Sequence, residues 1–313
     1  MNFLASVVIP SRGGVNRLPR LVDALSNQNQ SDFETIVVLD GDIDGSNEFL
    51  SRPTIKEMLP NMKVISFPEN RGRSVALNEG FVASGGEILI RCDDDLEPKS
   101  NYIQSHIDRH EREVCGVVGL TRNVLPETPY ARAYGYEADK LAEKAALAIP
   151  SNFAWRHWAG NVSVPRQIWK EVGVYNTSYR RYGWEDVDYG YRIYAAGFPI
   201  VIAPELTTAH HAAAVTTKIR SLRALHSGAA RDKFVELHGE DVLPKADGVG
   251  LWNMLISGVA EISNEKSISV VSDVIDRLLP MVPIPIGRKL VAMMVESAGL
   301  AGVRHPSRAK QSF

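Results

Sequence analysis

The chain has 313 residues, with 35 Lys+Arg against 37 Asp+Glu, a net charge of −2 and 44% hydrophobic residues. That is the mix of a globular chain with an ample core, and it lacks the basic excess of a nonspecific nucleic-acid binder. The two cysteines, Cys92 and Cys115, cannot build a disulfide framework and point to a reducing, cytoplasmic setting. The opening MNFLASVVIP lacks the basic start, long apolar core and small-residue cleavage site of a secretory signal. No apolar run approaches the ~18–20 residues of a membrane span. Residues 248–260 and 278–287 come nearest, and Pro280, Pro283 and Pro285 break the second.

The first 120 residues alternate β-rich runs with helix-like segments. Strands are predicted over 5–9 (ASVVI), 35–39 (TIVVL), 63–66 and 87–91 (EILIR), and helices over 18–25, 47–59 and 74–83. This alternation implies βαβ units and a parallel sheet, whose ligands bind at the carboxyl ends of the strands. Polar clusters stand at three such ends: Pro10-Ser11-Arg12, Asp40-Gly41-Asp42 and Asp93-Asp94-Asp95. Residues 123–157 read as irregular and aromatic, and 158–204 as mixed. Beyond His211 helices are predicted over 216–238, 251–262, 269–279 and 287–298, with a domain boundary near 215 and a loose basic tail from 303.

Three clusters carry chemistry. Three adjacent carboxylates repel one another, a cost that a cation relieves; in an extended chain Asp93 and Asp95 point the same way. The alternative is a solvated turn capping the next helix. Trp184-Glu185-Asp186-Val187-Asp188 opens a helical segment, where acids either stabilise the first turn or, partly desolvated beside a tryptophan, act as a general base. His210-His211 follows a strand, and gains meaning as a ligand only if another group requires it.

Together these residues resemble the inverting glycosyltransferases of family 2, with the GT-A fold. SVVIPSRGGVNRLPRLVDAL resembles that family's opening strand and helix. IVVLDGDIDGS is similar to its VVDDGSxDGT stretch and ENRGRSVALNEG to its NxGxxxARNxG, with Asn70, Gly72 and Asn78 in register. RCDDDLEP stands at the DxD motif, GNVSVPRQIWKEVGVYN at the acceptor-supporting segment and WEDVD at the catalytic acid pair. The likeness covers about residues 4–212. WEDVDYGYRIYAAGFPIVIAPELTTAHH further resembles galactofuranosyltransferases of the family, which run from such an element to a metal-binding histidine; Asp186 and His210 are 24 residues apart, as there. Leu39 and Leu77 depart from the family's acid and arginine.

The resemblance implies a mostly parallel nucleotide-binding sheet flanked by helices, as a catalytic domain over 1–214 with a helical region over 215–313. It implies a nucleoside-diphosphate sugar donor, UDP first and dTDP or GDP as alternatives, contacted by Pro10, Ser11, Arg12, Asp40 (at the base), Asn70, Arg73, Asp93 and Asp94. Mn²⁺ or Mg²⁺ is implied at Asp95 and His210, with His211 as rival ligand. Asp186 is implied as base, assisted by Glu185, with Trp158, Gly160, Asn161, Trp184 and Asp188 around the saccharide or lipid-linked acceptor; Trp155 is a further stacking candidate. Cell-envelope polysaccharide assembly is the implied setting. In residues 284–298 an apolar face beside Arg288 and Lys289 suits core packing, a homo-oligomer contact or a peripheral membrane contact. The rival readings are a non-catalytic nucleotide-sugar-binding subunit, which has no need of Asp186, and a sugar nucleotidyltransferase, which needs a glycine-rich loop that Ser11–Asn16 does not supply.

Overall fold

The computed structural model describes residues 3–179, 183–243 and 250–310. The β-branched runs form strands β1 (Ala5–Ser11), β2 (Phe33–Leu39), β3 (Met62–Ser66) and β4 (Ile88–Cys92), buried on both faces in β1 and nearly so in β2 and β4. Helix α1 (Leu18–Ser26) buries Leu18, Leu21, Val22 and Leu25, the spacing of one helical face. The single helix expected over 47–59 is two, α2 (Ser46–Ser51) and α3 (Pro53–Met58). Pro53 has no N–H to continue the first and holds Arg52 extended at φ −61°, ψ 138°. Helix α4 (Arg73–Ala83) starts after Gly72, whose φ of +96° favours glycine.

Then follow β5 (Leu96–Glu97), α5 (Tyr102–Arg112) and β6 (Gly116–Asn123). The stretch 123–157, expected to be irregular, contains a π-turn at Ala131–Gly135, helix α6 (Tyr136–Leu147) and a 3₁₀ segment at Ser151–His157. The run EADKLAEKAAL is made of strong helix formers, and their propensity outweighs the flanking prolines. Next come β7 (Asn161–Pro165), α7 (Arg166–Val172), α8 (Trp184–Ala195) and β8 (Ile200–His210).

Among the described residues the strands form one sheet in the order β3-β2-β1-β4-β7-β6-β8-β5. The first four are parallel, as expected; β7 runs antiparallel to β4 and β6, β8 parallel to β6, and β5 antiparallel to β8, so the second half is mixed. Val7, Ile9, Val37, Leu39, Ile90 and Cys92 pack on one face with α1 and α5. Leu89 and Arg91 alternate to the other face, where α4 lies so close that a Cβ on Gly80 would stand 2.4 Å from Val8 Cγ1. The carboxyl ends of β1, β2 and β4 thus lie side by side.

This unit comprises residues Met1–Val124, Glu143–Thr177 and Glu185–Ala212; a second consists of Leu125–Ala142, Ser178–Trp184 and Ala213–Phe313. The second unit's helices are α9 (Thr217–His238), α10 (Leu251–Ile262), α11 (Glu265–Leu278) and α12 (Ile284–Arg304). Thr216 caps α9, and Asn264 with Ser267 forms a capping box on α11. Leu225, Ile268, Ile275, Val291, Met294 and Ala298 form its core. Of the three readings of the α12 stripe, its central residues match core packing: Val291, Met294 and Ala298 are at most 3% exposed. Exposed apolar side chains lie at the start of α12 (Ile284, Ile286), on α10 (Leu251, Met254, Leu255) and on α11 (Val270, Val271, Val274). Among the described residues no helix is long and apolar enough to cross a membrane.

Candidate active site

The three aspartates after β4 do not share one direction. Leu96 N–H bonds to the Asp93 carbonyl at 3.1 Å, closing a turn that sends each side chain to a different partner, so the extended-chain premise does not hold. Asp94 turns inward, accepting from Ser11 Oγ at 2.5 Å and from Arg17 Nε and Nη2, both at 2.9 Å. It ties the end of β1 to the turn, and burial pushes its carboxyl up from the usual range. Asp93 is held by a fork from Arg91, Nε to Oδ1 at 2.8 Å and Nη2 to Oδ2 at 3.1 Å. The positive charges of Arg91 and Arg73 more than offset its burial and lower its pKa.

Asp95 faces His210, with Oδ2 3.4 Å from Nε2. The other imidazole nitrogen, Nδ1, lies 2.6 Å from Asn123 Oδ1. Since Oδ1 only accepts, we assign a proton to Nδ1, so that in the neutral tautomer the Nε2 lone pair faces a carboxylate. Two acceptors in that arrangement suit a cation between them, and both side chains are about a fifth exposed, open to one from solvent. The rival His211 turns to Glu97 Oε2 at 2.5 Å. Among the described residues no group of three or more His, Cys, Asp or Glu is arranged to hold a metal. A cation at this place could take Asp95 and His210 from the protein, its other positions falling to donor oxygens or water.

Asp40, at the end of β2, accepts the backbone N–H of Arg71 at 2.6 Å and of Gly72 at 2.9 Å. It shapes the loop that carries exposed Asn70, whose Oδ1 also accepts from Gly72 N. Pro10 lies buried within β1, and Arg12 is exposed at its end. Arg73, at the start of α4, reaches Glu185 Oε1 at 3.5 Å.

Helix α8 brings Glu185 and Asp186 to the same end of the sheet on its first turn, 5% and 6% exposed. Asp186 Oδ1 accepts from Arg91 Nη1. Burial first, and the Asp186 charge second, push the Glu185 carboxyl up to about 7, against the pull of Arg73 and Arg91. Gly160 closes the cluster: its carbonyl accepts the Asp93 N–H at 3.0 Å, and a Cβ there would stand 2.5 Å from Asp93 Oδ2.

Other expected acceptor contacts are placed elsewhere. Trp158 is 2% exposed, its indole N–H donating to Tyr175 Oη at 3.0 Å, and Trp155 is 1% exposed, so neither ring offers a stacking face. Asn161 is buried, accepting from Tyr102 Oη at 2.9 Å and donating to the Leu206 carbonyl at 2.9 Å. Asp188, 1% exposed, is bound by Arg192 Nε at 2.9 Å and braces its own helix. Trp184 belongs to the second unit, donating to the Ser227 carbonyl at 2.7 Å and packing on Phe234. A cavity of about 540 Å³ in that unit is lined by Tyr179, Asp232, Lys233 and Glu236 among others, and by none of the expected site residues.

Arg91, Arg17 and Asn123 are site-forming residues to which the sequence assigned no role, although Arg91 and Arg17 lie inside the family-like segments. Arg91 had a signal: a cation inside the apolar run ILIRC is out of place unless acids meet it.

Residues 6–162 match Glycosyl transferase family 2. The chain belongs to that family. The family 2 chain is 24% identical over 232 residues to validoxylamine A glucosyltransferase of Streptomyces hygroscopicus subsp. jinggangensis, covering 64% of this chain and 54% of that protein. It is 25% identical over 254 residues to the uncharacterized glycosyltransferase YfnE of Bacillus subtilis, covering 66% and 64%. It spans between about half and two thirds of these curated relatives. Its fold is GT-A-like: the mannosyltransferase PcManGT of Pyrobaculum calidifontis, solved with GDP-Man and Mn²⁺, superposes with a TM-score of 0.60 at 16% identity over 96% of this chain and 87% of that one. S. aureus TarS gives a TM-score of 0.55 at 14% identity, over 95% of this chain and 55% of that one.

Proposed function

We propose that this family 2 chain transfers a sugar, with inversion, from a nucleoside diphosphate (UDP first) to a hydroxyl of a saccharide or lipid-linked saccharide. The observation that carries the reading is one guanidinium, Arg91, binding both Asp93 after β4 and Asp186 at the start of α8. Donor-side and acceptor-side acids are thereby joined at the strand ends where such sheets bind nucleotides.

In this reading the Asp40-ordered loop with Asn70 and Arg73 meets the nucleotide, together with the exposed Arg12 at the end of β1. Asp186 accepts the proton of the acceptor hydroxyl as its oxygen bonds to the anomeric carbon. The bond from that carbon to the diphosphate oxygen breaks, and its electron pair leaves with the diphosphate. A single displacement needs a base and no protein nucleophile. Asp95 and His210 would hold Mn²⁺ or Mg²⁺, which would supply Lewis-acid stabilisation of the departing diphosphate. A merely nucleotide-sugar-binding subunit has no use for a buried, oriented Asp186, and the first strand is not followed by the glycine-rich loop of a nucleotidyltransferase.

Calorimetric titration of UDP, dTDP, GDP and CDP, each with and without Mn²⁺, tests the donor site. Metal-dependent binding of one nucleotide is expected, and binding of none overturns the assignment. GDP belongs in the series because the Pyrobaculum enzyme holds GDP-Man. Asp186→Asn is expected to reduce transfer about 10²–10⁴-fold while leaving nucleotide affinity intact. Full turnover by that variant removes Asp186 as the base.

A further inference from the structure

We infer that Arg91 is a positioning residue for the transfer step, setting the distance and orientation of Asp186 relative to the donor-side Asp93. The inference rests on the reading of Asp186 as base.

Arg91 is the penultimate residue of β4, paired with Val8 on one side and Val162 on the other. Its side chain is wholly buried. An aliphatic residue would serve the sheet better, because a buried ion pair is usually no more stable than apolar packing of the same volume. The arginine is instead spent on geometry. Nε and Nη2 grip both oxygens of Asp93, and Nη1 holds Asp186, 95 positions further along the chain. Three donors of one rigid plane therefore fix two carboxylates from different elements.

The guanidinium is itself held from below. Its carbon lies 6.0 Å from the centroid of the Tyr175 ring, which stacks on Tyr189 with centroids 4.1 Å apart. Asn78 of α4 clamps the Tyr175 backbone, donating to its carbonyl at 2.9 Å and accepting its N–H at 2.7 Å. Asn78 and Tyr175 thus support the guanidinium from the side away from its carboxylates. Around the pair stand two cations, Arg91 and Arg73, and three acids, Asp93, Glu185 and Asp186.

Arg91→Lys decides the matter, since lysine keeps the charge but cannot span two carboxylates with a fixed fork. A base displaced by about 1 Å costs on the order of 10²-fold in rate. Arg91→Lys is therefore expected to lower kcat about 100-fold while donor KM and UDP affinity change less than about 3-fold. Placed on top of Asp186→Asn, the same change is expected to cost clearly less than it does in the wild type, because the part of its effect that runs through Asp186 is already lost. A kcat within about 3-fold of wild type, or an equal additional loss when Asp186→Asn is already present, overturns the inference. So does a parallel fall of kcat, donor affinity and thermal midpoint, which marks a purely structural role. If Arg91→Lys fails to fold, Arg91→Gln, which removes the charge but keeps two donors, is read by the same split. Turnover retained by Asp186→Asn alone is a separate result: it refutes the base assignment itself.

Discussion

His210 Nε2 and Asp95 Oδ2 face each other at 3.4 Å across the pairing of β8 with β5, while Asn123 occupies the far side of the imidazole. The strand pairing brings the two side chains together, and the Asn123 contact orients the imidazole. His210→Ala is expected to weaken Mn²⁺ binding about 10–100-fold, and Asn123→Ala to have a smaller effect in the same direction. Titration followed by Mn²⁺ electron paramagnetic resonance checks both; unchanged affinity in His210→Ala removes it from the site.

Gly160 leaves room for a carboxylate. A Cβ there would meet Asp93 Oδ2 at 2.5 Å and Cγ at 2.6 Å, so Gly160→Ala must push Asp93 out of the Arg91 fork. A loss of about 10²-fold in transfer is expected, with little change in the thermal midpoint, because the strain falls on a partly exposed side chain. Wild-type turnover in this variant shows that Asp93 needs no fixed position.

Glu185 makes stability depend on pH. Its carboxyl is raised from 4.5 to about 7, first by burial and then by Asp186. Between those values the folded chain holds a proton that the unfolded chain has released, so this group's contribution falls as pH rises through the window. Glu185→Gln mimics the protonated form. The variant is expected to gain on the wild type as pH rises from 5 to 8. Urea unfolding at the two pH values measures it, and a difference that does not change with pH refutes it.

His106 and His110 act with the opposite sign. Ser163 Oγ meets His106 Nδ1 at 2.8 Å and His110 Nε2 at 2.7 Å, and the other nitrogen of each ring is buried without a partner among the described residues. Burial pushes them down from 6.5, to about 3 and about 4. Their stabilisation is present above pH 6.5 and is lost as pH falls below it, because the unfolded chain takes up protons the folded rings refuse. His110→Leu is expected to shrink the drop in thermal midpoint between pH 7 and pH 5. An unchanged drop assigns the acid sensitivity elsewhere.

The strands and most helices were legible in the sequence because burial on both faces leaves unbroken β-branched runs and burial on one leaves a helical stripe, as in ASVVI and in Leu18, Leu21, Val22 and Leu25. Less visible were the break at Arg52-Pro53 and helix α6, where local proline chemistry and helix propensity outweigh the wider pattern. Of the α12 stripe the sequence showed the apolar face but not what it faces, and the second unit's core covers it.

The order of the acids, Asp40, Asp93 to Asp95, Glu185-Asp186 and His210, and their place at strand and helix ends are properties of the sequence alone. Their division of labour is tertiary. Asp94 goes to Ser11 and Arg17, Asp93 and Asp186 to a common arginine, and Asp95 to a histidine. Each partner lies in a different element, and a chain read in one dimension shows which charges exist but not which of them meet. The tryptophans give the same lesson: Trp155 and Trp158 suit sugar stacking or a core equally by type, and only the packing, of Trp158 on Tyr175 and Tyr189 and of Trp155 on Tyr191, decides for the core.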